Sequence, residues 1–393
     1  MKKVYLNNMK YRYDVYQIVD LFISFNKFSI ISDDEDCDYK VIINLDSNTI
    51  EVESMKNKKI FGMDSKGSIK EEVKKAVFKF FSSEAGVNPP WGIMIGIRPT
   101  KIPGEMIKEG KDYEYIKKYL FDHYLLDERK ADLCINVAKN EVRYTDFDKN
   151  KISVYIDMPF CPSRCSYCSF ITTTIDHDRK LVDPYLKWLS YEISHVSSFI
   201  DKMHLDIENV YFGGGTPTSI DASQFGYLMN NIYKSFIRGR NVHEFTLECG
   251  RPDSIDEEKL KIMKECGVKR ISINPQTMND KTLRLVGRRH TSSDIVEKYY
   301  LARKMGFDDI NMDLILGLPG EGIPEVEKTC RSIEKLSPDS ITIHGLTIKK
   351  GSKLREEMLY NEDEDIRKSS DIINKMYERT SELAKRLDMA PYY

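Results

Sequence analysis

The chain has 393 residues, with 60 Lys and Arg against 62 Asp and Glu, a net charge of −2. That balance excludes broad electrostatic binding to nucleic acid or to an anionic membrane surface. The first residues lack the apolar core of a secretory signal, and apolar stretches such as 15–25 are too short and too polar to span a bilayer. We therefore expect a cytoplasmic protein with no integral membrane segment and no nucleic-acid partner, in a compartment that keeps thiols reduced.

Composition and periodicity predict four segments. Residues 1–86 alternate short apolar runs with one strongly amphipathic stretch, which is typical of a small α+β domain. Residues 87–150 begin with a stretch rich in glycine and proline and continue with helical patterns, so they are predicted to be a helical connector. Residues 151–352 form the predicted core, and residues 353–393 are predicted to be a C-terminal helical segment.

Six short apolar runs in this core alternate with amphipathic helical patterns. The runs are ISVYIDM, NVYFGG, EFTLEC, VKRISIN, DINMDLIL and DSITIHG. This alternation predicts an α/β fold with a parallel sheet, and six units suit a partial (β/α)6 barrel or an open doubly wound sheet. In either architecture the functional side chains gather at the carboxyl ends of the strands.

Local signals predict where two of the intervening helices begin and one ends. Asp183, followed by proline, is predicted to cap the helix after the first strand. Ser254 and Glu257 have the spacing of a capping box, and Gly267 is predicted to end that helix in a left-handed conformation.

Three of the eight cysteines lie in the stretch PFCPSRCSYCSF, directly after the first predicted strand. The spacing of Cys161, Cys165 and Cys168 brings three thiolates into one compact loop. A structural zinc site uses four ligands, and the loop contains no histidine. The pattern therefore favours a [4Fe-4S] cluster whose fourth iron is free to bind a small molecule, over an incomplete zinc site or three structural thiols. The amine and carboxylate of S-adenosylmethionine (SAM) are suitable ligands for that iron.

Glycines or polar residues follow the next strands in turn. The run 213–215 is all glycine, which leaves room for a ligand to approach the chain closely. Glu248 ends the third strand, where a carboxylate could accept hydrogen bonds from ribose hydroxyls. Gln276 follows the fourth strand, Arg288 lies on the next helix, and Asp313 lies on the fifth strand. An ordinary salt bridge or cap could explain each residue alone, but the series predicts one ligand-binding edge.

Taken together, these motifs resemble the radical SAM superfamily. Across residues 152–352 the stretches YIDMPFCPSRCSYCSF, YFGGGTPT, ISINPQTMNDKTLRLVGRRHT and MDLILGLPGE resemble the oxygen-independent coproporphyrinogen III oxidases. The stretch WGIMIGIRPTK resembles a subgroup with a long extension ahead of the barrel. That family continues into a C-terminal domain that covers the substrate, and we expect the chain ending at Tyr393 to hold only the start of it.

The resemblance implies roles for individual residues, although it assigns no catalytic acid or base. It implies that the three clustered cysteines bind the [4Fe-4S] cluster. It implies that one SAM molecule contacts Tyr155, Gly214 and Glu248. Positions used for a second SAM molecule are matched by Tyr167, Gly215, Thr216, Gln276, Arg288, Asp313 and Thr347.

The resemblance also implies an activity in heme biosynthesis, with a tetrapyrrole substrate and an electron donor such as flavodoxin or ferredoxin. In the implied reaction, one electron cleaves SAM and the 5'-deoxyadenosyl radical takes a hydrogen from the β-carbon of a propionate. Loss of carbon dioxide and one electron then leaves a vinyl group. Coproporphyrinogen III would thereby become protoporphyrinogen IX.

Two alternatives on the same fold stay open. Phe170 stands where the oxidases carry a further cysteine, and Asp157 stands where they carry a histidine. Because a phenylalanine at the first position is found in relatives regarded as heme chaperones, a heme-binding chaperone is one alternative. A radical methyltransferase acting on a tetrapyrrole, with the same two cofactor pockets, is the other.

Overall fold

Contacts divide the chain into two compact units, Met1–Asp146 with Pro391–Tyr393, and Phe147–Ala390. The computed structural model describes residues 1–23, 27–34, 36–64, 67–96, 98–145, 148–170, 172–349, 351–360 and 370–392.

The first unit combines a small sheet with five helices. Its strands are β1 (Lys2–Leu6), β2 (Phe28–Ile31), β3 (Tyr39–Asn44), β4 (Thr49–Ser54) and β5 (Lys58–Gly62), and its helices are α1 (Arg12–Val19), α2 (Ile69–Ala85), α3 (Lys101–Lys108), α4 (Tyr113–Tyr124) and α5 (Glu128–Val142). The sheet has the order β2-β1-β3-β4-β5. β1 runs parallel to both of its neighbours, while β3, β4 and β5 form an antiparallel meander.

Two separate hydrophobic cores hold this first unit together. The larger core joins the sheet to α1 and α2, where Val15, Val41 and Val77 are completely buried. The smaller core joins α4 to α5 through Leu120 and Ile135. The amphipathic faces of these helices therefore pack as their apolar spacing predicts.

The second unit alternates strands and helices throughout. Its strands are β6 (Lys151–Met158), β7 (Phe160–Cys161), β8 (Thr173–Thr174), β9 (Asp206–Gly214), β10 (Glu244–Glu248), β11 (Arg270–Ser272), β12 (Asp309–Leu316) and β13 (Ser340–Gly345), and its helices are α6 (Ile175–Asp178), α7 (Val182–Lys202), α8 (Ala222–Ile232), α9 (Glu257–Glu265), α10 (Asp280–Leu285), α11 (Ser292–Lys304), α12 (Ile323–Leu336), α13 (Lys353–Tyr360) and α14 (Ser370–Arg386).

Six of these strands form one parallel sheet, in the order β13-β12-β11-β10-β9-β6. In the described part of the chain no ladder joins β6 to β13, so the barrel is incomplete. The predicted partial (β/α)6 barrel, preceded by a smaller α+β domain, is confirmed. Because all six strands run the same way, their carboxyl ends share one edge, which we call the carboxyl edge.

The core of the second unit lies between the sheet and its helices. Aromatic side chains from strands and helices fill it, including the fully buried Phe212, Phe225, Phe245 and Phe307. This apolar layer fixes the strands, so side chains at the carboxyl edge project from a rigid support.

Two of the predicted helix starts are wrong. The residue before α7 is Leu181, and the Asp183 carboxylate instead accepts a hydrogen bond from Gln224 Nε2 at 2.6 Å. Asp256, not Ser254, caps α9 by accepting from the Lys259 N–H at 2.8 Å. No side chain caps the first turn of α7, and before α9 the Ser254 hydroxyl is engaged instead with the Arg251 carbonyl and Thr218 Oγ1.

The left-handed end predicted at Gly267 is confirmed by a φ of +78°. In the described residues, no helix is both long enough and apolar enough to cross a bilayer.

Candidate functional site

The three clustered cysteines lie on a loop that closes on itself at the end of β6. We call residues 161–170 the cysteine loop. Its ends are joined because β7 and β8 pair in parallel, and the Thr173 N–H donates to the Pro159 carbonyl at 2.9 Å. The Ser166 N–H donates to the Val286 carbonyl at 3.0 Å, which ties the middle of the loop to the end of α10. Cys161, Cys165 and Cys168 are free, partly exposed thiols.

Burial and neighbouring charges perturb two of these thiols. Burial raises the pKa of Cys161, and a hydrogen bond from Thr216 Oγ1, 3.6 Å from the sulfur, works in the opposite direction. Burial also raises the pKa of Cys168, against a hydrogen bond from the Phe170 N–H. Negative charge on the neighbouring sulfurs raises both values further. Neighbouring thiolates repel one another, so the three cysteines ionise together only when a cation lies among them.

Hydrogen-bond donors lie beside two of the three cysteine sulfurs. Among the described residues, no group of three or more His, Cys, Asp and Glu side chains converges closely enough to hold one metal ion. In a cubane each thiolate binds a different iron, so its cysteines stand farther apart than the ligands of one ion. Thr216 Oγ1 lies near Cys161, and Arg251 Nη1 lies 3.9 Å from Cys165 Sγ. Hydrogen-bond donors of this kind are the usual neighbours of cluster sulfurs.

The glycine run at the end of β9 packs against the protein itself. A Cβ on Gly214 would lie 2.3 Å from Asp157 Oδ1, and φ there is +100°. A Cβ on Gly213 would lie 2.7 Å from the Tyr211 ring. The glycines are therefore required by close packing within the chain, which differs from the sequence expectation that they leave room for a ligand. Contact of Gly214 or Gly215 with SAM through the backbone stays a prediction.

Glu248 lies at the centre of a second group of site residues. Its Oε1 accepts a hydrogen bond from the Tyr211 hydroxyl. The Tyr211 ring stacks on Tyr155 with centroids 5.8 Å apart, and the two tyrosines are paired in register between β6 and β9. The pKa of Glu248 is raised to about 7, mainly by burial and also by the nearby Asp313 carboxylate, while the hydrogen bond from Tyr211 works against the rise. Near neutral pH this carboxyl group can hold or release a proton.

Several buried polar atoms near the carboxyl edge have no partner. The sequence predicts Arg288 on a helix, but it lies in the segment after α10 ends at Leu285. It is only 4% exposed, and its Nη2 donates to the Gly250 carbonyl at 2.7 Å, but its Nε and Nη1 bind nothing in the described chain. Gln276 Oε1 and Ser272 Oγ are also buried without partners. An unpaired buried polar group costs about 1–3 kcal/mol, so a ligand that pairs with these atoms would bind favourably here. A carboxylate for Arg288 and a donor for Gln276 are groups that SAM offers.

The remaining predicted residues are distributed between these groups. Tyr167 lies beside Cys165 and Arg288, and burial raises its pKa strongly. Thr216 is 1% exposed and lies beside Cys161. Asp313 lies near Glu248 and accepts a hydrogen bond from Asn311 Nδ2 at 2.7 Å. Thr347 is exposed and hydrogen bonds only to the Gly345 carbonyl among the contacts described.

Sequence reasoning missed four residues of the site. Tyr211 donates a hydrogen bond to Glu248. Arg251 contacts Ser163 of the cysteine loop and also pairs with Asp253. The signal was present for Arg251 and Asp253, since they follow the carboxyl end of β10 by three and five residues. Tyr211 could have been found because it sits three residues before Gly214 on the strand.

Residues 155–333 match the sequence model of the Radical SAM superfamily. The oxygen-independent coproporphyrinogen-III oxidase-like protein HemZ of Bacillus subtilis is 35% identical over 328 residues, which cover 83% of this chain and 65% of HemZ. The heme chaperone HemW of the same organism is 34% identical over 196 residues, half of each chain.

A solved structure shares the fold. Coproporphyrinogen III oxidase (HemN) from Escherichia coli superposes with a TM-score of 0.53 at 24% identity, over 61% of this chain and 53% of HemN. The chain thus spans about two thirds or less of the length of these relatives.

The fold and the sequence match define a radical SAM domain. Within that class, the chain is homologous to the HemZ-like members of the coproporphyrinogen oxidase family and to the heme chaperone HemW. The family implies a [4Fe-4S] cluster and SAM.

Proposed function

We propose that the protein is a cytoplasmic radical SAM oxidoreductase that converts propionates of coproporphyrinogen III to vinyl groups without oxygen, giving protoporphyrinogen IX. The observation that carries the proposal is the similarity to the oxidase-like HemZ, which extends over 83% of the chain rather than over the barrel alone. A flavodoxin or ferredoxin is the proposed source of electrons. The cluster would be held by Cys161, Cys165 and Cys168.

When bound, the cluster and SAM together supply one-electron abstraction of hydrogen from carbon. The protein's own residues bind and orient these groups. Thr216 and Arg251 direct donors at the cluster sulfurs, and the closed loop holds the sulfurs in place. Tyr155, Gly214 and Glu248 are proposed to bind one SAM, the tyrosine through its aromatic face and the glutamate through a carboxylate for ribose hydroxyls.

A second set of residues is proposed to bind a second SAM. Arg288 supplies two nitrogen atoms, Nε and Nη1, whose N–H groups are unused and can donate to a carboxylate, and Gln276 supplies an unused acceptor. Tyr167, Gly215, Thr216, Asp313 and Thr347 complete the proposed set. A ligand that pairs with the buried donors of Arg288 would recover the free energy that leaving them unpaired costs, which supports the proposed site.

A heme-binding chaperone is the second candidate function. It is favoured by 34% identity to the heme chaperone HemW over half of the chain. Phe170, two residues after Cys168, is 61% exposed. A large aromatic ring open to solvent beside the cysteine loop is suited to pack against the flat face of a porphyrin.

Anaerobic reconstitution with iron and sulfide tests the proposal. The wild-type chain should take up about four irons and show a cubane spectrum. After addition of dithionite, SAM and coproporphyrinogen III, it should form 5'-deoxyadenosine and a porphyrinogen that has lost carbon dioxide. Cys165→Ala should lose the cluster and both products. Cys37→Ser, which removes a cysteine of the first unit, should retain all three and serves as the matched control.

Each other outcome identifies an alternative. Absence of a cluster in the wild-type chain contradicts the whole proposal. A cluster with 5'-deoxyadenosine but no decarboxylation, combined with tight binding in a heme absorption titration, identifies a chaperone. A product heavier by one methyl group identifies a tetrapyrrole methyltransferase.

A further inference from the structure

A buried guanidinium lies directly behind the cysteine loop. Arg251 is 4% exposed, and its Nη1 lies 3.9 Å from Cys165 Sγ and 3.2 Å from the Ser163 carbonyl oxygen. Its Nη2 lies 3.0 Å from Ser163 Oγ. One side chain thus contacts the backbone, a hydroxyl and a sulfur of the same loop region.

The other edge of this guanidinium is held by a carboxylate. Nε lies 3.0 Å from Asp253 Oδ1 and Nη2 lies 2.9 Å from Asp253 Oδ2, which is a bidentate pair. The five N–H groups of Arg251 therefore have five acceptors, and one of these acceptors is a cysteine sulfur. This bidentate pair holds the planar guanidinium in one orientation, so Nη1 stays directed at Cys165.

Ser163 also links Arg251 to the segment that follows α10. Ser163 Oγ donates to the Gly287 carbonyl at 2.8 Å, just before Arg288. The loop segment is thereby clamped between the end of β10 and the end of α10. Arg251 is the only one of these partners that contributes a positive charge.

We propose that Arg251 is a positioning residue that fixes Cys165 and raises the reduction potential of the cluster. This inference rests on the proposed function, because it requires a cluster on the three cysteines. A reduced cluster carries one more negative charge than an oxidised one. A buried cation and N–H donor beside a ligand sulfur therefore stabilise the reduced state more.

The carboxylate of Asp253 weakens this effect without cancelling it. Asp253 binds the Nε–Nη2 edge, whereas the sulfur faces Nη1. The positive end of the pair is consequently nearer to the cluster side. The residue acts on the equilibrium of a one-electron reduction whose electron comes from the reductant, and no bond of the protein changes.

A redox titration of the anaerobically reconstituted full chain tests this inference. The midpoint potential would be followed by electron paramagnetic resonance, with iron content measured on the same samples. In Arg251→Gln the reduction equilibrium should be at least tenfold less favourable. The midpoint potential should therefore be more negative by about 59 mV or more for one electron. Arg251→Lys keeps a charge but cannot bridge Asp253 and Cys165, so its potential should lie between those of the wild type and Arg251→Gln.

Arg303→Gln is the matched control. Arg303 also pairs with a carboxylate, Asp339 at 2.7 Å, but it lies on α11 and contacts Tyr299 rather than the cysteine loop. This variant should keep the wild-type potential.

A wild-type potential in Arg251→Gln, with or without reduced iron content, would overturn the inference and leave Arg251 a structural role only. If Arg251→Gln takes up no cluster, Arg251→Lys decides, and a wild-type potential there overturns the inference. Failure of the wild-type chain to form a cluster contradicts the proposed function instead, so the two failures are distinguishable.

Discussion

Gly215 lies directly against Cys161. A Cβ placed on Gly215 would stand 2.9 Å from Cys161 Sγ and 2.7 Å from the carbonyl oxygens of Met158 and Phe160. Real Cβ atoms do not approach other atoms so closely. The end of β9 can therefore reach the cysteine loop only because this position has no side chain.

Gly215→Ala should destabilise the second unit by about 1–3 kcal/mol, because the added methyl group must displace two backbone carbonyls. It should also reduce iron uptake, since the displacement moves Cys161. Urea denaturation of the ligand-free chain and iron analysis after reconstitution measure the two effects. Gly226→Ala on α8 is the control, because its Cβ would meet only Ile262 at 3.4 Å. An alanine there should be neutral or stabilising, as expected inside a helix. Equal stability of the two variants would contradict the steric explanation.

Glu248 should make stability depend on pH near neutrality. Its folded-state pKa of about 7 lies above the ordinary value of 4.5, so folding takes up a proton between these two values. The contribution of this group to stability is therefore lost as pH rises through about 7.

Glu248→Gln mimics the protonated form and can still accept from Tyr211. At pH 8 to 9 this variant should be more stable than the wild type by about 2–3 kcal/mol, and the difference should disappear toward pH 5. Urea denaturation of both chains across this range measures the difference. A gap that stays constant with pH would show that Glu248 does not titrate as described.

Arg288→Met should separate stability from ligand binding. The wild-type side chain is buried with Nε and Nη1 unpaired, so replacing it with an apolar side chain of similar length should leave stability unchanged or raise it. Binding of SAM should weaken by about tenfold to a hundredfold, the value of a charge-assisted hydrogen bond.

Equilibrium dialysis with SAM and thermal denaturation of the ligand-free chain test the two parts. Arg284 lies in the last turn of α10 and outside the proposed site. Arg284→Met is therefore the control and should keep the wild-type affinity for SAM. Unchanged affinity in Arg288→Met would remove Arg288 from the proposed set.

The sheet could be predicted from the sequence because its signal is local. Each of the six apolar runs contains a strand of the parallel sheet, and β12 matches its run from Asp309 to Leu316. A strand buried on both faces must be apolar along its length, so such runs mark it directly. The alternation with helices predicts a parallel sheet but leaves a partial barrel and a doubly wound sheet open, and the observed order β13-β12-β11-β10-β9-β6 is that of the barrel.

What the sequence did not predict depends on contacts across long separations. Arg251 and Cys165 are 86 residues apart, and only the folded sheet brings them together. The same holds for the packing of Gly215 on Cys161, where glycine was attributed to ligand access rather than to the loop. At the helix starts, Asp183 was taken for a cap because its contact with Gln224 on another helix could not be foreseen.

The backbone closure of the cysteine loop bears on what loss of the proposed cluster would do to the protein. The β7–β8 pair and the bond from Ser166 to Val286 join backbone atoms, so no cysteine sulfur takes part in closing the loop. In a zinc finger, by contrast, the metal ligands hold the fold, and loss of the metal unfolds the domain. If a cluster binds here as proposed, we expect its loss to leave the loop closed and able to take up a new cluster.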